Sequence, residues 1–376
     1  MIRFLHTSDW QLGMTRHFFT EGVQERFSQA RFDAIRRLGQ VARDEQCRFM
    51  VVCGDAFESN QVDRKTVIRA LEALKEVIVP VYILPGNHDP LDAASVYHSA
   101  AFEERKPAHV HIVEDSEPVQ CTPGLELVGA PWYSKRVVAN PLEELLNGVS
   151  PAGTMTRIVL AHGGVDVLAP DQEAAGVIPV AKVEQAISEG KLHYLALGDR
   201  HSFTRVAGSD RICYSGTPEP TDFTETKSGS AVIVDLDRYQ VRIEEVSIGR
   251  WRFLERRQVE LNTMDDVDTL RRELEEIEGK ERTVVKLYLV GTLSLSLRAR
   301  LDEYLEILRE AFAAVEVRER ELVVIPEDVD FADVALSGFA EKAVRRLRDM
   351  SEMQDDGGVA ARDALMLLLR LTREEP

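Results

Sequence analysis

No stretch of these 376 residues approaches the roughly 18 consecutive apolar positions that a membrane-spanning helix requires, so no membrane association is expected. Met1-Ile-Arg-Phe-Leu-His-Thr-Ser-Asp9 runs straight into a strand-like segment and carries no secretory hydrophobic region. Cys47, Cys53, Cys121 and Cys213 show no paired spacing, so they read as reduced core thiols rather than a disulfide framework. These three absences together place the chain in the cytoplasm. Positive charge is also short: 46 Lys and Arg stand against 64 Asp and Glu, a formal net charge of −18. That balance argues against autonomous, tight nucleic-acid binding, which normally relies on a basic face. It does not bear on metal-dependent chemistry, because bound dications supply their own local positive field at a phosphate. Internal repeats and low-complexity segments are lacking as well.

What is present is an ordinary globular composition, 44% hydrophobic and 29% charged, in a chain long enough for two or three compact units. Apolar runs of strand length fall at Ile2–His6, Phe49–Cys53, Val79–Leu84, Arg157–Ala161 and Leu192–Leu197. Helical patterns at Gln24–Glu45 and Asp63–Val77 separate the first three, which predicts an α/β core of β-α-β units. From Pro118 to about Val246 hairpin-like pairs take over: Val119–Cys121 with Glu126–Val128, and Ala231–Asp235 with Gln240–Val246. After about Arg250 the character changes again. A short strand at Val259–Leu261, a helix capped by Asp265 and ending at Gly279, a strand at Thr283–Val290, a helix at Leu297–Phe312 and a strand at Val315–Ile325 predict a small α+β domain. Pro326 and the acidic Glu327–Asp330 run mark its end. Two helices are expected in the tail. The first aligns Phe331, Val334, Ala335, Phe339, Ala343, Leu347 and Met350 on one face; the second spans Val359–Leu371, after a polar break at Ser351–Gly358. Their apolar stripes pack either on their own protein or on a partner. The expected domains are 1–250, 251–328 and 329–376.

Five polar segments each follow an expected strand: Ser8-Asp9-Trp10-Gln11, Gly54-Asp55, Gly86-Asn87-His88-Asp89, Ala161-His162-Gly163 and Gly198-Asp199-Arg200-His201. In open α/β sheets ligands collect beyond the carboxyl ends of the strands, where five such segments can converge. Their Asp, Asn, Gln and His side chains are oxygen and imidazole donors suited to Mn²⁺, Fe²⁺, Zn²⁺ or Mg²⁺. A single Asp after a strand is ordinarily a turn former or helix cap. The ordered set of five is what points to a metal site, with glycines that let charged side chains turn inward.

That order resembles the calcineurin-like metallophosphoesterases, and His6-Thr7-Ser8-Asp9-Trp10-Gln11-Leu12-Gly13 resembles the opening of their SbcD-type exonuclease subunits. The resemblance implies a sandwich of mixed β-sheets flanked by helices, with a small α+β capping domain and a C-terminal helical tail. It implies two divalent ions, one held by Asp9, Gln11, Asp55 and His201 and the other by Asp55, Asn87, His162 and Asp199. Asp55 bridges, since a carboxylate can hold both ions. Two dications roughly 3.5–4 Å apart neutralise a phosphate and clamp an in-line displacement. His88 matches the family's catalytic histidine, and Asp89 is placed to orient it, a plain salt bridge or solvation being the alternative. Two positions depart from the family: Gln11 stands where it usually has His, and Asp199-Arg200-His201 where it has His-x-His. Both changes put an oxygen donor in place of an imidazole, which favours Mn²⁺ (or Mg²⁺, with Fe²⁺ as a further candidate) over Zn²⁺.

The implied function is metal-dependent cleavage of DNA phosphodiesters in a break-repair complex. DNA and an SbcC-like SMC-type ATPase are the implied partners, and a homodimer is expected by family analogy. The metal ligands alone leave two other readings open. One is a phosphoesterase acting on a phosphoprotein, cyclic nucleotide or nucleotide-sugar lipid; the other is a non-catalytic scaffold with a degenerate site. Arg16, Arg64, Lys65, Arg136 and Arg200 are isolated cations, and none is assigned to DNA. Trp10 is expected in the core.

Overall fold

The computed structural model describes residues 1–169, 171, 176–325, 338–351, 353 and 355–373. By packing the chain divides into two compact units, Met1–Arg252 and Phe253–Pro376.

The first unit is a sandwich of two mixed sheets with helices on both outer faces. Its strands are β1 (Ile2–Thr7), β2 (Met50–Cys53), β3 (Val81–Leu84), β4 (Val110–Ile112), β5 (Val119–Thr122), β6 (Leu125–Gly129), β7 (Thr156–His162), β8 (Tyr194–Gly198), β9 (Thr204–Arg205), β10 (Ile212–Tyr214), β11 (Ser230–Leu236) and β12 (Val241–Ser247). Its helices are α1 (Glu21–Asp44), α2 (Arg64–Lys75), α3 (Ala100–Glu103), α4 (Pro141–Gly148) and α5 (Val180–Ser188). One sheet has the order β12-β11-β1-β2-β3-β4, the other β5-β6-β7-β8-β10-β9. Strands β1 to β4 run parallel, as do β6, β7, β8 and β10, while the outer hairpin partners are antiparallel.

Alternation along buried strands sorts side chains into three cores. Val51 and Cys53 of β2 face inward with Phe4, Leu84, Leu127, Ile158, Leu160 and Tyr194, filling the space between the sheets. Met50 and Val52 of the same strand face outward and pack with Ile35 and Leu38 of α1 and Leu71 and Leu74 of α2. On the opposite side Val159, Ala161, Leu195 and Leu197 meet Leu142 and Leu145 of α4 and Val183 of α5. Each central strand is therefore covered on both faces, which is why it reads as a continuous apolar run. Trp10 is buried in the helix-side core, as expected, and its indole N–H donates to Thr7 Oγ1 at 3.1 Å.

The second unit follows the expected strand–helix–strand–helix–strand order: β13 (Arg252–Glu260, from the unit boundary), α6 (Met264–Glu275), β14 (Thr283–Leu293), α7 (Leu295–Ala311) and β15 (Ala314–Val324). Strand β14 is central and parallel to β15. Leu270, Leu274, Leu301, Leu305 and Leu308 cover it through Val285, Leu287 and Leu289. Two local expectations need correction. The N-cap of α6 is Thr263, not Asp265, because Thr263 and Asp266 form a reciprocal capping box that fixes the start two residues earlier. Strand β13 has nine residues rather than a short run at Val259–Leu261, since most of it is polar and half-exposed and so lacks an apolar signature.

Helices α8 (Phe339–Ser351) and α9 (Asp356–Arg373) form the tail, with the polar break contracted to a short turn. Val344 and Leu365 pack against Leu295, so part of both stripes turns onto its own unit, while Phe339, Val359 and Leu367 remain exposed. The expected acidic run and the first turns of the first tail helix, residues 326–337, lie outside the described residues. Among the described residues no helix is long and apolar enough to cross a membrane.

Candidate metal centre

The carboxyl ends of β1, β2 and β3 in one sheet and of β7 and β8 in the other open at the same end of the sandwich, and all five expected segments leave from them. The loops after β1 and β2 run side by side. Asp9 N–H donates to Gly54 O, Gln11 N–H to Asp55 O and Leu12 N–H to Ala56 O, each at 3.0 Å. The two sheets nearly touch here: a Cβ on Gly198 would lie 1.7 Å from the Cys53 carbonyl oxygen, and one on Gly54 would lie 2.1 Å from His162 Nδ1. Glycine at both places is what lets an imidazole from one sheet reach carboxylates from the other.

The backbone is strained at this end. Among the described residues seven non-glycines have positive φ, and four are ligand candidates: Asp9 (54°), Gln11 (50°), Asp55 (53°) and Asp199 (96°). Such conformations cost about 1–3 kcal/mol each and persist where surrounding hydrogen bonds enforce them.

Asp9, Asp55 and His162 are buried, and each offers one donor atom within 4.8 Å of the others. Around His162 Nε2 lie Asn87 Oδ1 at 2.8 Å, Asp55 Oδ1 at 3.4 Å and Asp199 Oδ1 at 3.8 Å. Its Nδ1 faces the Cys53 carbonyl oxygen at 2.8 Å, which fixes the proton there and leaves Nε2 among oxygens. A cation, either a proton or a metal ion, must sit at Nε2 to reconcile these acceptors. Burial opposes protonation of His162, but the Asp55 carboxylate outweighs it and holds the ring well above the ordinary imidazole range.

Asp55 faces both ligand sets. Its Oδ1 lies toward His162 and accepts from His88 N–H at 3.0 Å, and its Oδ2 accepts from Gln11 Nε2 at 3.1 Å. That bond identifies the amide nitrogen of Gln11 and leaves its Oε1 buried with no hydrogen-bond partner. A buried amide oxygen without a donor costs about 1–3 kcal/mol, and a divalent cation is a partner that satisfies it. Asp9 is fully buried and accepts from Ser8 Oγ at 2.5 Å and from Asp199 N–H at 3.1 and 3.2 Å. Burial still pushes its carboxyl up to about 6, so a proton is not enough compensation for two adjacent carboxylates. His201 Nε2 lies 3.9 Å from Asp9 Oδ1. The orphaned amide oxygen, the oxygen-ringed imidazole and the crowded carboxylates fit divalent ions.

His88 stands at the rim with about a third of its side chain exposed. Its Nδ1–H donates to Glu58 O at 2.9 Å, so the unprotonated Nε2, 4.0 Å from Asp55 Oδ2, faces the site. Asp89 does not orient it. Asp89 is fully buried and accepts from Gly86 N–H (2.7 Å), Asp55 N–H (3.2 Å), Phe57 N–H (3.0 Å) and Tyr97 O–H (2.6 Å), which ties the loops after β2 and β3 together. Asp199 is the outlying candidate, with 40% of its side chain exposed.

Sequence reasoning missed two supports. The buried Arg31 of α1 donates to Trp10 O (3.2 Å), Glu219 O (3.4 Å) and Pro220 O (3.2 Å), joining the β1 loop to the 218–225 loop. An arginine in the middle of a helix gives no such signal. Glu225 accepts from His201 Nδ1 at 2.8 Å, and nothing in its spacing from the motifs marks it. Beside them an open groove of about 430 Å³ runs along Arg16, Arg200, His201 and Thr224.

Among proteins of known name, the chain is 25% identical over 276 residues to the SbcD component of the nuclease SbcCD of Bacillus subtilis, covering 62% of this chain and 66% of that one. It is 25% identical over 244 residues to the DNA double-strand break repair protein Mre11 of Sulfolobus acidocaldarius, covering 62% and 60% respectively. Against Mre11 of Sulfurisphaera tokodaii the figure is 26% over 260 residues, covering 65% and 62%. The chain thus spans less than two thirds of the length of these relatives. A dimetal phosphatase from Danio rerio overlays 66% of this chain and 98% of its own, at TM-score 0.44 and 14% identity. Residues 2–197 match the calcineurin-like phosphoesterase family, a span that holds each expected ligand except Asp199 and His201. Since that match covers more than half of the chain, the protein belongs to the calcineurin-like phosphoesterase family, whose chemistry is metal-dependent phosphoester hydrolysis.

Proposed function

We propose that this protein is a two-metal DNA phosphodiesterase that trims or cuts DNA in break repair, acting with an SbcC-like SMC-type ATPase. The observation that carries the reading is that three relatives named as a nuclease component or as break-repair proteins align over about 62–65% of the chain. The site chemistry is compatible with it. Asp9, Gln11, Asp55 and His201 would hold one ion, and Asp55, Asn87, His162 and Asp199 the other. When bound, the dications neutralise the phosphate and provide an activated water for in-line attack. The chain's own part is to hold Asp55 between the two sets and to keep His88 Nε2 at the open rim, where it can protonate the leaving oxygen or stabilise charge on the phosphoryl group. The second unit would cap the DNA, and the exposed Phe339, Val359 and Leu367 of the tail helices would offer the ATPase a docking face. An acidic nuclease subunit would then borrow much of its DNA affinity from its partner.

The test is Mn²⁺-dependent degradation of end-labelled linear duplex DNA, with the ATPase and ATP added in parallel. His88→Ala is expected to lower turnover by about 10²–10⁴-fold, the usual weight of a general acid or base. Cleavage confined to a chromogenic phosphodiester or phosphomonoester would transfer the assignment to another substrate. An unchanged rate in His88→Ala would remove that residue from the chemistry.

The oxygen donors at Gln11 and Asp199 give the proposed ion preference, Mn²⁺ or Mg²⁺ before Zn²⁺. Asp199→His restores an imidazole, so Mn²⁺-dependent activity is expected to persist or rise. Zn²⁺ affinity relative to Mn²⁺ should increase roughly tenfold, about 1.4 kcal/mol of ligand preference. Competitive metal titration measures it, and loss of Mn²⁺-dependent turnover would count against a tuned site.

A further inference from the structure

His162 and His201 are held in different ways. The Nδ1 of His162 meets a backbone carbonyl, Cys53 O, whereas that of His201 meets a carboxylate, Glu225 Oε1, at 2.8 Å. Glu225 is itself locked. Its Oε2 accepts from Thr221 N–H at 2.9 Å, its Oε1 accepts from Thr221 O–H, and only 5% of its side chain is exposed. The loop bearing Thr221 is tied to the protein interior just before it. Arg31 holds the Glu219 and Pro220 carbonyls, and the buried Glu219 carboxylate accepts from Trp251 N–H at 3.1 Å and pairs with Arg37.

We propose that Glu225 is a positioning residue for the metal centre, acting through His201 to favour cation binding at the ion shared with Asp9 and Gln11. The proposal rests on the two-metal reading but not on DNA as the substrate. An imidazole has two nitrogens, and only the one without a proton can ligate. Glu225, which accepts only, pins the proton of His201 on Nδ1 and leaves the lone pair on Nε2. That nitrogen lies 3.9 Å from Asp9 Oδ1, a gap one ion spans with bonds of about 2.0–2.2 Å. Glu225 contacts the far side of the ring, so it supports the ligand without being one.

A carboxylate partner also makes the imidazole a stronger donor than a carbonyl partner does. The same ion would take its other neutral contact from Gln11, whose amide oxygen is a weaker donor than an imidazole. Glu225 thus strengthens one neutral ligand where the sequence supplies another that is weak. His162, in the set with Asn87 and Asp199, has a backbone carbonyl rather than a carboxylate behind Nδ1.

The experiment is Mn²⁺ binding to the full chain, followed by electron paramagnetic resonance of free Mn²⁺ and by calorimetry, so that no substrate is needed. Glu225→Ala is expected to weaken one of two Mn²⁺ sites by about 10–100-fold while leaving the other within about twofold. Glu225→Gln keeps an acceptor but removes the charge, so its loss should fall between native and Glu225→Ala. In a His201→Ala background the further change on adding Glu225→Ala should vanish, because the effect runs through the ring. Thermal unfolding in EDTA identifies any variant with a damaged fold, and Glu225→Gln then carries the comparison. Unchanged Mn²⁺ affinity in Glu225→Gln and Glu225→Ala would overturn the proposal. So would an equal loss with and without His201. Failure to cut DNA with both Mn²⁺ sites intact would count against the nuclease reading alone.

Discussion

Replacing Asp55 with alanine is expected to remove both ions and to lower phosphodiester turnover by at least about 10³-fold, since metal charge stabilisation supplies several kcal/mol. The expectation follows from the two faces of this side chain. Oδ1 looks toward His162 and Asn87, and Oδ2 toward Gln11, so one truncation takes an anionic donor from both proposed sets. Asp9→Ala is the contrasting variant. Asp9 lies 3.9 Å from His201 and belongs to one set only, so one ion should be retained. Metal content per chain after gel filtration, measured beside hydrolysis of a chromogenic phosphodiester, separates the cases. Asp55→Asn controls for folding, because it keeps the shape and one acceptor while losing the charge. Two ions per chain retained in Asp55→Ala would refute the bridging role proposed for this residue.

The site was legible where chemistry sits next to a fold signal. Asp9, Asp55, Asn87, His162 and Asp199 each follow an apolar run of strand length, and glycines at 54, 86, 163 and 198 punctuate the turns. The central strands were legible for a related reason. Being covered on both faces, β2, β3, β7 and β8 are buried throughout and carry mostly apolar residues. What stayed hidden depends on partners far away in sequence. Arg31 reaches carbonyls at 219 and 220, and Glu225 reaches a ring 24 positions earlier across an irregular loop. Periodicity carries no information about either. Strand β13 was hidden because a half-exposed strand needs few apolar residues. Helix α6 began early because capping depends on which of several adjacent polar residues finds its reciprocal partner, and Thr263 with Asp266 wins over Asp265.

Asp89 is the clearest case of a residue whose neighbours in sequence mislead, and it carries the second large expectation. Lying next to His88, it invites a reading as that ring's orienter, yet its four donors are three backbone N–H groups and the Tyr97 hydroxyl. Asp89→Ala strands all four in a buried place. At about 1–3 kcal/mol for each buried group left unsatisfied, with water or rearrangement recovering some, the expected destabilisation is about 3–5 kcal/mol. Burial, reinforced by the Asp55 charge, pushes the Asp89 carboxyl up to about 6. That shift describes the cost of ionising the group and does not lessen the cost of removing its acceptors. Asp89→Asn distinguishes the two effects. Its oxygen can still serve Gly86 and Asp55, but its NH₂ then confronts Phe57 N–H, so a loss of about 1–3 kcal/mol is expected although size is preserved. Because Asn87 and His88 ride on the same turn, activity should fall in both variants under conditions where they remain folded. Urea unfolding in EDTA measures the stability, and phosphodiester turnover in Mn²⁺ measures the function. Stability within about 1 kcal/mol of native in Asp89→Ala would mean the loops after β2 and β3 are held by something else, and the backbone strain at Asp55 would then need another source of support.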